Sequence, residues 1–300
     1  MDNKMEKFQD SEYKSDENTK NEIEQLNREG QSLSGFQLNF ADLKNVNLVD
    51  ADLKYCDLKR ANLSNASMYG ADLEGANLFK ANLEGANLKN ANLKNCQLLG
   101  ANFTDTKLHN INWGDEDKVI NELEAEKSMN FSTSKSKYKE AEEIYRSIRL
   151  TMQNQSLGDE SSLIFIREMI CKRKQHPKYS FFRLVSKFAD VTTAYGESLT
   201  RILSSGFGVI FFSALLYGIE GVSYKDRILG FFVSDIQDYG ILATLGDLFY
   251  FSVITFTTVG FGEITPIGPL GKFLTIFEGL VSGIIMTIFI IAMYRRLMDR

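Results

Sequence analysis

The chain has 300 residues, of which 44% are hydrophobic and 24% charged, with three cysteines, two histidines and a formal net charge of −5. This composition excludes a wholly disordered or collagen-like chain, a disulfide framework and a structural zinc site. It also argues against a general nucleic-acid binder. The first ten residues lack an apolar core, so we expect no signal peptide and a cytosolic N-terminus.

Residues 1–32 form an acidic polar tail, and nine Asp and Glu residues outnumber five Lys and Arg residues in its first thirty positions. Ile23 and Leu26 are spaced for one short helix, but the tail has too few apolar side chains for a core. We therefore expect a solvated tail that caps the domain after it.

A repeat of five residues begins at Leu33 and ends at Trp113, and every fifth residue between them is large and apolar in seventeen consecutive units. A smaller residue, mostly alanine, lies two positions before each of them. A period of five fits neither a helix nor a strand, so the backbone must turn every five residues. The pattern resembles the pentapeptide-repeat family, whose members wind into a right-handed, four-sided β-helix.

This resemblance implies a β-helix over residues 33–114, with about four coils of about twenty residues and a length near ~20 Å. The large residues would fill its interior, and the segment from Trp113 to Asp117 would cap its C-terminal end. Cys56 and Cys96 hold the small inward position two coils apart, about 10 Å, which is too far for a disulfide. Both are expected to be reduced core residues.

Residues 115–176 predict a helical hairpin, because apolar residues recur at helical spacing in two stretches. The buried face of the first helix is predicted to consist of Tyr138, Ala141, Ile144, Tyr145, Ile148 and Met152. Asp159 is predicted to cap the second helix, and Leu163, Ile166 and Ile170 to form its buried face.

Residues 177–199 interleave aromatic and cationic side chains. The alternating set is Phe181, Phe182, Arg183, Leu184, Val185, Lys187 and Phe188. This composition favours an amphipathic helix on the membrane surface, and a helix packed within the protein is the alternative. His109 and His176 are isolated, and neither is assigned a chemical role.

Three apolar stretches follow, at residues 202–219, 248–262 and 273–293. The first and last are long enough to span a bilayer, whereas the fifteen residues of the middle one cannot cross about 30 Å of hydrocarbon. The middle stretch must therefore enter and leave from the same side. Residues 244–247 resemble a capping box, which predicts a short helix over 245–257.

Basic residues indicate the orientation of the spans. Residues 167–201 contain eight Lys and Arg residues, and Arg295, Arg296 and Arg300 follow the last span. Residues 220–247 contain only Lys225 and Arg227. Because basic residues stay on the cytosolic side, both termini are expected there, with the intervening loop outside.

The segment from Thr258 to Gly262 resembles the selectivity filter of potassium channels, and the family pattern covers residues 200–298. This resemblance implies an all-α pore domain at residues 200–300. Its parts would be an outer helix at 202–219, a re-entrant pore helix at 245–257, a filter at 258–262 and an inner helix at 269–294.

In such a filter, backbone carbonyls from four copies replace the water around K⁺. The backbone must alternate in handedness, which Gly260 and Gly262 permit, and the Thr258 hydroxyl would form the innermost ring. Val259 and Phe261 are expected to point away from the axis and pack against pore helices.

Thr257 and Glu263 are expected to support the filter. Glu263 stands where many members have Asp, and Ile254 where some bacterial members have a carboxylate behind the filter. We expect selectivity to survive both differences and inactivation to change.

One face of the inner helix is expected to line the cavity and the intracellular gate. It consists of Gly279, Gly283, Met286, Ile290 and Tyr294. Gly279 or Gly283 is either a hinge or a site of close helix packing. Glu278 is costly in a membrane unless paired, so we predict a structural hydrogen bond to the backbone of the pore helix or filter.

The favoured hypothesis is a potassium-selective homotetrameric channel that is not an enzyme. Its partners would be three copies of itself and the lipid bilayer, its permeant ion K⁺, and it would need no cofactor. The repeats would serve regulation, assembly or binding of a cytosolic protein. The alternative is a membrane-tethered interaction scaffold with a degenerate or non-selective cation pore. DNA mimicry is disfavoured, because residues 33–113 hold eight acidic and eight basic residues. No motif identifies the gating stimulus.

Overall fold

The computed structural model describes residues 2–225, 227–232 and 240–298, so Arg300 of the orientation argument lies outside the described residues. The chain divides into two compact units, Met1–Lys187 and Phe188–Arg300. The five-residue repeats belong to the first unit, and the long apolar helices to the second.

Parallel bridges stack the repeats at a separation of twenty residues, from the pair Gln37–Asp57 to the pair Asn92–Asn112. A turn follows every fifth residue, so each twenty-residue coil contains four turns. The large apolar residues from Leu33 to Trp113 point inward and are at most 5% exposed. Stacked backbones satisfy one another's polar groups, while leucine and alanine fill the space between them.

The turns impose a backbone requirement that the five-residue pattern did not reveal. Every fifth residue from Gly35 to Asn110 has a positive φ between 54° and 75°. Glycine, asparagine and aspartate tolerate this left-handed conformation best. They hold twelve of the sixteen positions, and the exceptions are Phe40, Tyr55, Arg60 and Lys80.

The N-terminal segment caps the repeats as predicted, but it is packed against them rather than solvated. It forms two helices, α1 (Asp2–Gln9) and α2 (Thr19–Arg28). Phe8 and Ile23 are fully buried in the same core as the repeat leucines, and Leu26 is buried beside them. The apolar residues are few, but the open end of the first coil offers them a surface to cover.

The two helices also complete the hydrogen bonds of the first coil. In a later coil, the Asp57 N–H donates to the Phe36 carbonyl of the coil before it, at 2.9 Å. The first coil has no predecessor. Its Gln37 N–H donates instead to the Phe8 carbonyl at 2.6 Å, and its Asn47 N–H to Glu24 Oε1 at 2.9 Å.

Three helices, rather than the predicted hairpin of two, follow the repeats: α3 (Ile120–Lys127), α4 (Phe131–Asn154) and α5 (Gly158–Lys174). The predicted buried face of α4 is buried. The predicted face of α5 is wrong, because Leu163 is 57% exposed and the buried residues are Ser161, Ile164, Glu168 and Cys171. Asp159 lies in the first turn and is not the N-cap, which is Leu157.

Glu168 explains the orientation of α5. Its carboxylate accepts hydrogen bonds from Arg146 Nε at 3.1 Å and from Arg149 Nε at 2.7 Å, both on α4. A carboxylate with two guanidinium partners can be buried, so a charged residue occupies the inner face of α5. Apolar spacing alone did not indicate this arrangement.

The last coil is capped by α4 rather than by the segment after Trp113 alone. Thr151 Oγ1 donates to the Phe103 carbonyl at 3.0 Å. The Gln155 side-chain amide binds the Thr106 carbonyl and accepts from the Leu108 N–H. One continuous core therefore extends from the N-terminal helices through the repeats to α5, and residue 114 does not mark a boundary of that core.

The cysteines are free and buried, as predicted for Cys56 and Cys96. Burial raises the pKa of both thiols to about 12, and their Sγ atoms donate to the Leu33 and Leu73 carbonyls at 3.0 and 2.9 Å. Burial also raises the pKa of Cys171.

We predict that a maleimide at pH 8 leaves all three cysteines of the native protein unlabelled, because labelling requires an exposed thiolate. Intact-mass spectrometry should show three adducts per chain only after denaturation. Labelling of Cys56 or Cys96 at the rate of a free thiol in the folded protein would contradict this account.

The second unit contains two helices long and apolar enough to cross a membrane, α7 (Leu199–Glu220) and α9 (Pro269–Met298). Helix α6 (Phe181–Thr193) precedes them. Between them lies α8 (Ile241–Phe256), whose sixteen residues extend about 24 Å, less than the thickness of the hydrocarbon core.

The predicted start of the short apolar helix is wrong. Helix α8 begins at Ile241 after Gly240, whose φ of 87° turns the chain into the helix. Thr244 is not a cap, since its hydroxyl donates to the Gly240 carbonyl at 3.2 Å. The apolar Ile241 and Leu242 thus extend the helix by one turn at its N-terminus.

Three short strands join the helices of this unit: β1 (Val222–Tyr224), β2 (Arg227–Leu229) and β3 (Ile264–Pro266). β1 is central and pairs antiparallel with both neighbours. The side chains of Val222, Leu229 and Ile264 are buried with residues of α7 and α8. The sheet therefore fixes the segment that precedes α9 to the end of α7.

Candidate functional site

The segment from Thr258 to Gly262 leaves the carbonyl end of α8 and leads into β3. The N–H groups of Val259 and Gly260 both donate to the Ile254 carbonyl, at 3.0 and 3.2 Å. These bonds satisfy a carbonyl that would otherwise be unpaired at the end of the helix. The segment is thus anchored by α8 on one side and by the sheet on the other.

The backbone of this segment alternates in handedness. Thr258, Gly260 and Gly262 have φ values of 58°, 51° and 77°, whereas φ is negative at Val259 and Phe261. Such alternation turns successive carbonyl groups to the same side of the chain. A threonine in the left-handed region is strained, and the sequence had indicated this conformation only for the two glycines.

The side chains of the segment are largely unpacked within one chain. Val259 is 53% exposed and Phe261 65% exposed, and Thr257 and Glu263 are exposed as well. The Thr258 hydroxyl donates to the Thr257 carbonyl at 2.7 Å. The expected packing of Val259 and Phe261 against a pore helix is not formed with the chain's own α8.

A cavity of about 330 Å³ lies beside this segment. Phe251 and Ile254 of α8 line it, together with Thr275 and Gly279 of α9 and atoms of the alternating segment. The site therefore combines a strained backbone, an apolar recess and exposed apolar side chains, a surface that suits burial against further protein.

Glu278 is fully buried, and its hydrogen bonds differ from those predicted. Its carboxyl group is 2.7 Å from Tyr217 Oη on α7 and 2.5 Å from Ser252 Oγ on α8. The partners are thus side-chain hydroxyls of two other helices, not the backbone of the pore helix or filter. The sequence did contain a signal for these partners, because Tyr217 and Ser252 are polar residues within apolar helices.

The predicted cavity-lining face of α9 is accessible in one chain. Gly283, Met286, Ile290 and Tyr294 are exposed, and Gly279 is half-buried. A Cβ atom added at Gly279 or Gly283 would meet no atom within 4 Å. Close helix packing within the chain therefore does not explain either glycine.

Sequence reasoning missed the role of Glu220 at the end of α7. Its Oε2 accepts the Gly271 N–H at 2.6 Å, so a carboxylate lies at the N-terminus of α9, where the helix dipole favours negative charge. A Cβ atom at Gly268 would lie only 1.8 Å from Glu220 Oε1. Glycine at position 268 is what permits this close approach.

Comparison with known proteins finds a family match in each part of the chain. Residues 211–299 match a family described as ion channel, and residues 41–78 and 81–112 match eight copies of the pentapeptide repeat. No curated protein sequence matches the chain.

The repeats are similar to solved structures of pentapeptide repeat proteins. Rfr23 from the cyanobacterium Cyanothece 51142 is 43% identical over 30% of this chain and 60% of its own, with a TM-score of 0.29. The chain thus spans less than two thirds of Rfr23. The protein alr5209 from Nostoc Pcc 7120 is 34% identical over 31% of this chain and 76% of its own, with a TM-score of 0.28.

Proposed function

We propose that this two-span membrane protein, which joins pentapeptide repeats to an ion channel domain, is one subunit of a potassium-selective homotetrameric channel. The observation that carries the proposal is the alternation of φ from Thr258 to Gly262, at the carbonyl end of a helix too short to cross the bilayer. Aligned carbonyls can replace the hydration shell of K⁺, and the end of α8 directs the negative end of its dipole toward a cation.

Fourfold assembly is part of the proposal, because a filter of this kind is built from four such segments. One segment supplies one side of an ion path, so a closed ring of carbonyls needs copies related by rotation. Two features support this assembly, because neighbouring subunits would bury them. They are the exposed side chains of Val259 and Phe261 and the recess of about 330 Å³. The accessible face of α9 would then line the cavity, with Gly279 or Gly283 as the hinge.

The distribution of basic residues supports a cytosolic location for both termini and therefore for the repeat unit. Helix α6 exposes most of its apolar side chains and carries Arg183 and Lys187, as expected of a helix on the membrane surface. For the repeats, we propose the right-handed, four-sided β-helix of the family, with twenty residues per coil.

The decisive experiment measures K⁺ flux from liposomes that contain the full-length protein, with Na⁺ as competing ion and Ba²⁺ as blocker. We expect Ba²⁺-sensitive flux that favours K⁺. A second measurement does not depend on an open gate: K⁺ should raise the thermal midpoint of the detergent-solubilised tetramer, and equal Na⁺ should not.

Equal flux of both ions would indicate a non-selective cation pore. Absence of flux together with absence of K⁺-specific stabilisation would indicate the tethered scaffold. Either outcome would overturn the proposed potassium selectivity.

Truncation should reveal that the repeats and helices α3–α5 stabilise one another. Fragment 177–300 lacks the whole first core and should assemble as a tetramer. Fragment 115–300 exposes the face of α4 that covers the last coil, so it should aggregate. Size-exclusion chromatography with light scattering in detergent distinguishes the two, and a monodisperse 115–300 tetramer would contradict the continuous core.

A further inference from the structure

Three of the four bulky residues at the left-handed turns lie on one corner of the coil stack. Phe40, Arg60 and Lys80 are twenty residues apart, so they occupy the same position in successive coils. Their φ values are 60°, 56° and 57°. Lys59 directly precedes Arg60, and Phe79 directly precedes Lys80. We call these five residues the basic–aromatic edge.

The fold does not require bulky residues at this corner. Glycine, asparagine or aspartate holds twelve of the thirteen other left-handed positions in the coils, and these residues adopt the conformation at little cost. Arginine, lysine and phenylalanine adopt it less readily. Strain retained in three successive coils at one corner indicates that the side chains there have another role.

The cations of the edge contact aromatic rings rather than carboxylates. The Arg60 guanidinium is 5.5 Å from the centroid of the Phe40 ring, and the Lys80 and Lys59 ammonium groups are 5.2 and 5.9 Å from that of Phe79. Within the part of the chain that the structure describes, none of these three cations forms an ion pair.

A comparison with another corner shows that ion pairing was available. Lys54 and Lys94, which lie forty residues apart on one corner, pair with Asp72 and Asp115, both at 3.1 Å. The basic–aromatic edge has no such partners, and Phe40 is 60% exposed. It therefore presents three cations and an accessible ring to an external ligand.

We propose that the basic–aromatic edge binds an extended acidic segment of a partner protein. From Phe40 to Lys80 the edge covers two coil spacings, about 10 Å, or about three residues of an extended peptide. The adjoining positions carry Asp42 and Asp57, so the positive strip is narrow. A peptide can follow such a strip, whereas a planar anionic membrane would also meet the flanking carboxylates.

This inference concerns the repeats and does not depend on ion conduction. The test uses the full-length protein in nanodiscs of neutral lipid. The probe is a fluorescein-labelled dodecapeptide of alternating Glu and Tyr, and a Lys–Tyr peptide of the same length is the control. Fluorescence anisotropy should show saturable binding of the acidic peptide alone.

Two double variants locate the binding site. Arg60→Asn/Lys80→Asn removes two cations of the edge and places a residue tolerant of positive φ at each turn. It should weaken peptide binding about tenfold while the thermal midpoint stays equal or rises. Lys44→Asn/Lys107→Asn removes the same charge elsewhere on the coils and should leave binding unchanged.

Several results would overturn the proposal. One is equal binding by the wild type and the edge variant, and another is absence of acidic-peptide binding by the wild type. A lower thermal midpoint of the edge variant would show that the bulky residues serve the fold. Co-sedimentation with phosphatidylserine vesicles that depends on the edge, without peptide binding, would assign the edge to the membrane.

Discussion

Gly260→Ala is expected to abolish potassium flux while the protein still assembles. The φ of Gly260 is 51°, and a Cβ atom there would meet nothing within 4 Å in one chain, so the penalty comes from the backbone conformation rather than from a clash. Alanine costs about 1 kcal/mol in this region, which is about 4 kcal/mol over four subunits. The conducting form should therefore become about a thousandfold less populated.

Gly246→Ala is the matched control. Gly246 lies inside α8 without a positive φ, and a Cβ atom there also meets nothing within 4 Å. Alanine should stabilise the helix slightly and leave the flux intact. Liposome flux and size-exclusion chromatography of both variants provide the measurement. A K⁺-selective flux through Gly260→Ala at the wild-type rate would refute the assignment of the filter.

Glu278→Leu should lower the thermal midpoint by about 5–15 °C, whereas Glu278→Gln should retain most of the stability. Leucine removes the buried hydrogen-bond partner of the Tyr217 and Ser252 hydroxyls, at about 1–3 kcal/mol for each group. Glutamine preserves the shape and can accept from Tyr217 while its amide donates to Ser252.

The glutamine variant tests which group supplies the proton in the hydrogen bond between Ser252 and residue 278. Ser252 Oγ lies 2.9 Å from the Ile210 carbonyl as well as 2.5 Å from Glu278, yet a hydroxyl carries one proton. If Ser252 donates to Ile210, the proton between Ser252 and position 278 must come from residue 278. Thermal unfolding in detergent, followed by circular dichroism, measures the midpoints of the wild type and both variants. A Gln variant as unstable as the Leu variant would mean that the site requires an ionised carboxylate.

The sequence predicted the repeats well because a period of five restricts the backbone strongly. The inward leucines follow from that pattern, whereas the twenty residues per coil, and with them the separation of Cys56 and Cys96, came from the resemblance to the pentapeptide-repeat family. The burial of the N-terminal helices could not be predicted in this way. It depends on contact with the exposed first coil, which is distant in the sequence. The face of α5 was wrong for a similar reason, since Arg146 and Arg149 make a charged residue acceptable in its interior.

In the second unit, the two long apolar helices and the short helix between them were evident from length and hydropathy. The strands were not, because three residues are too few for an alternating pattern. The start of α8 was misplaced because Gly240 marks it by conformation, whereas residues 244–247 only resemble a cap. The partners of Glu278 required knowledge of how three helices face one another.

Helices cover both ends of the coil stack, and this arrangement limits how copies of the protein can associate. An uncovered terminal coil would present unpaired N–H and C=O groups, a template on which another stack could continue and grow into a fibre. The bonds from Phe8 and Glu24 at one end, and from Thr151 and Gln155 at the other, occupy that template. In the proposed tetramer, the four repeat units would therefore not associate by continuing one coil stack into another.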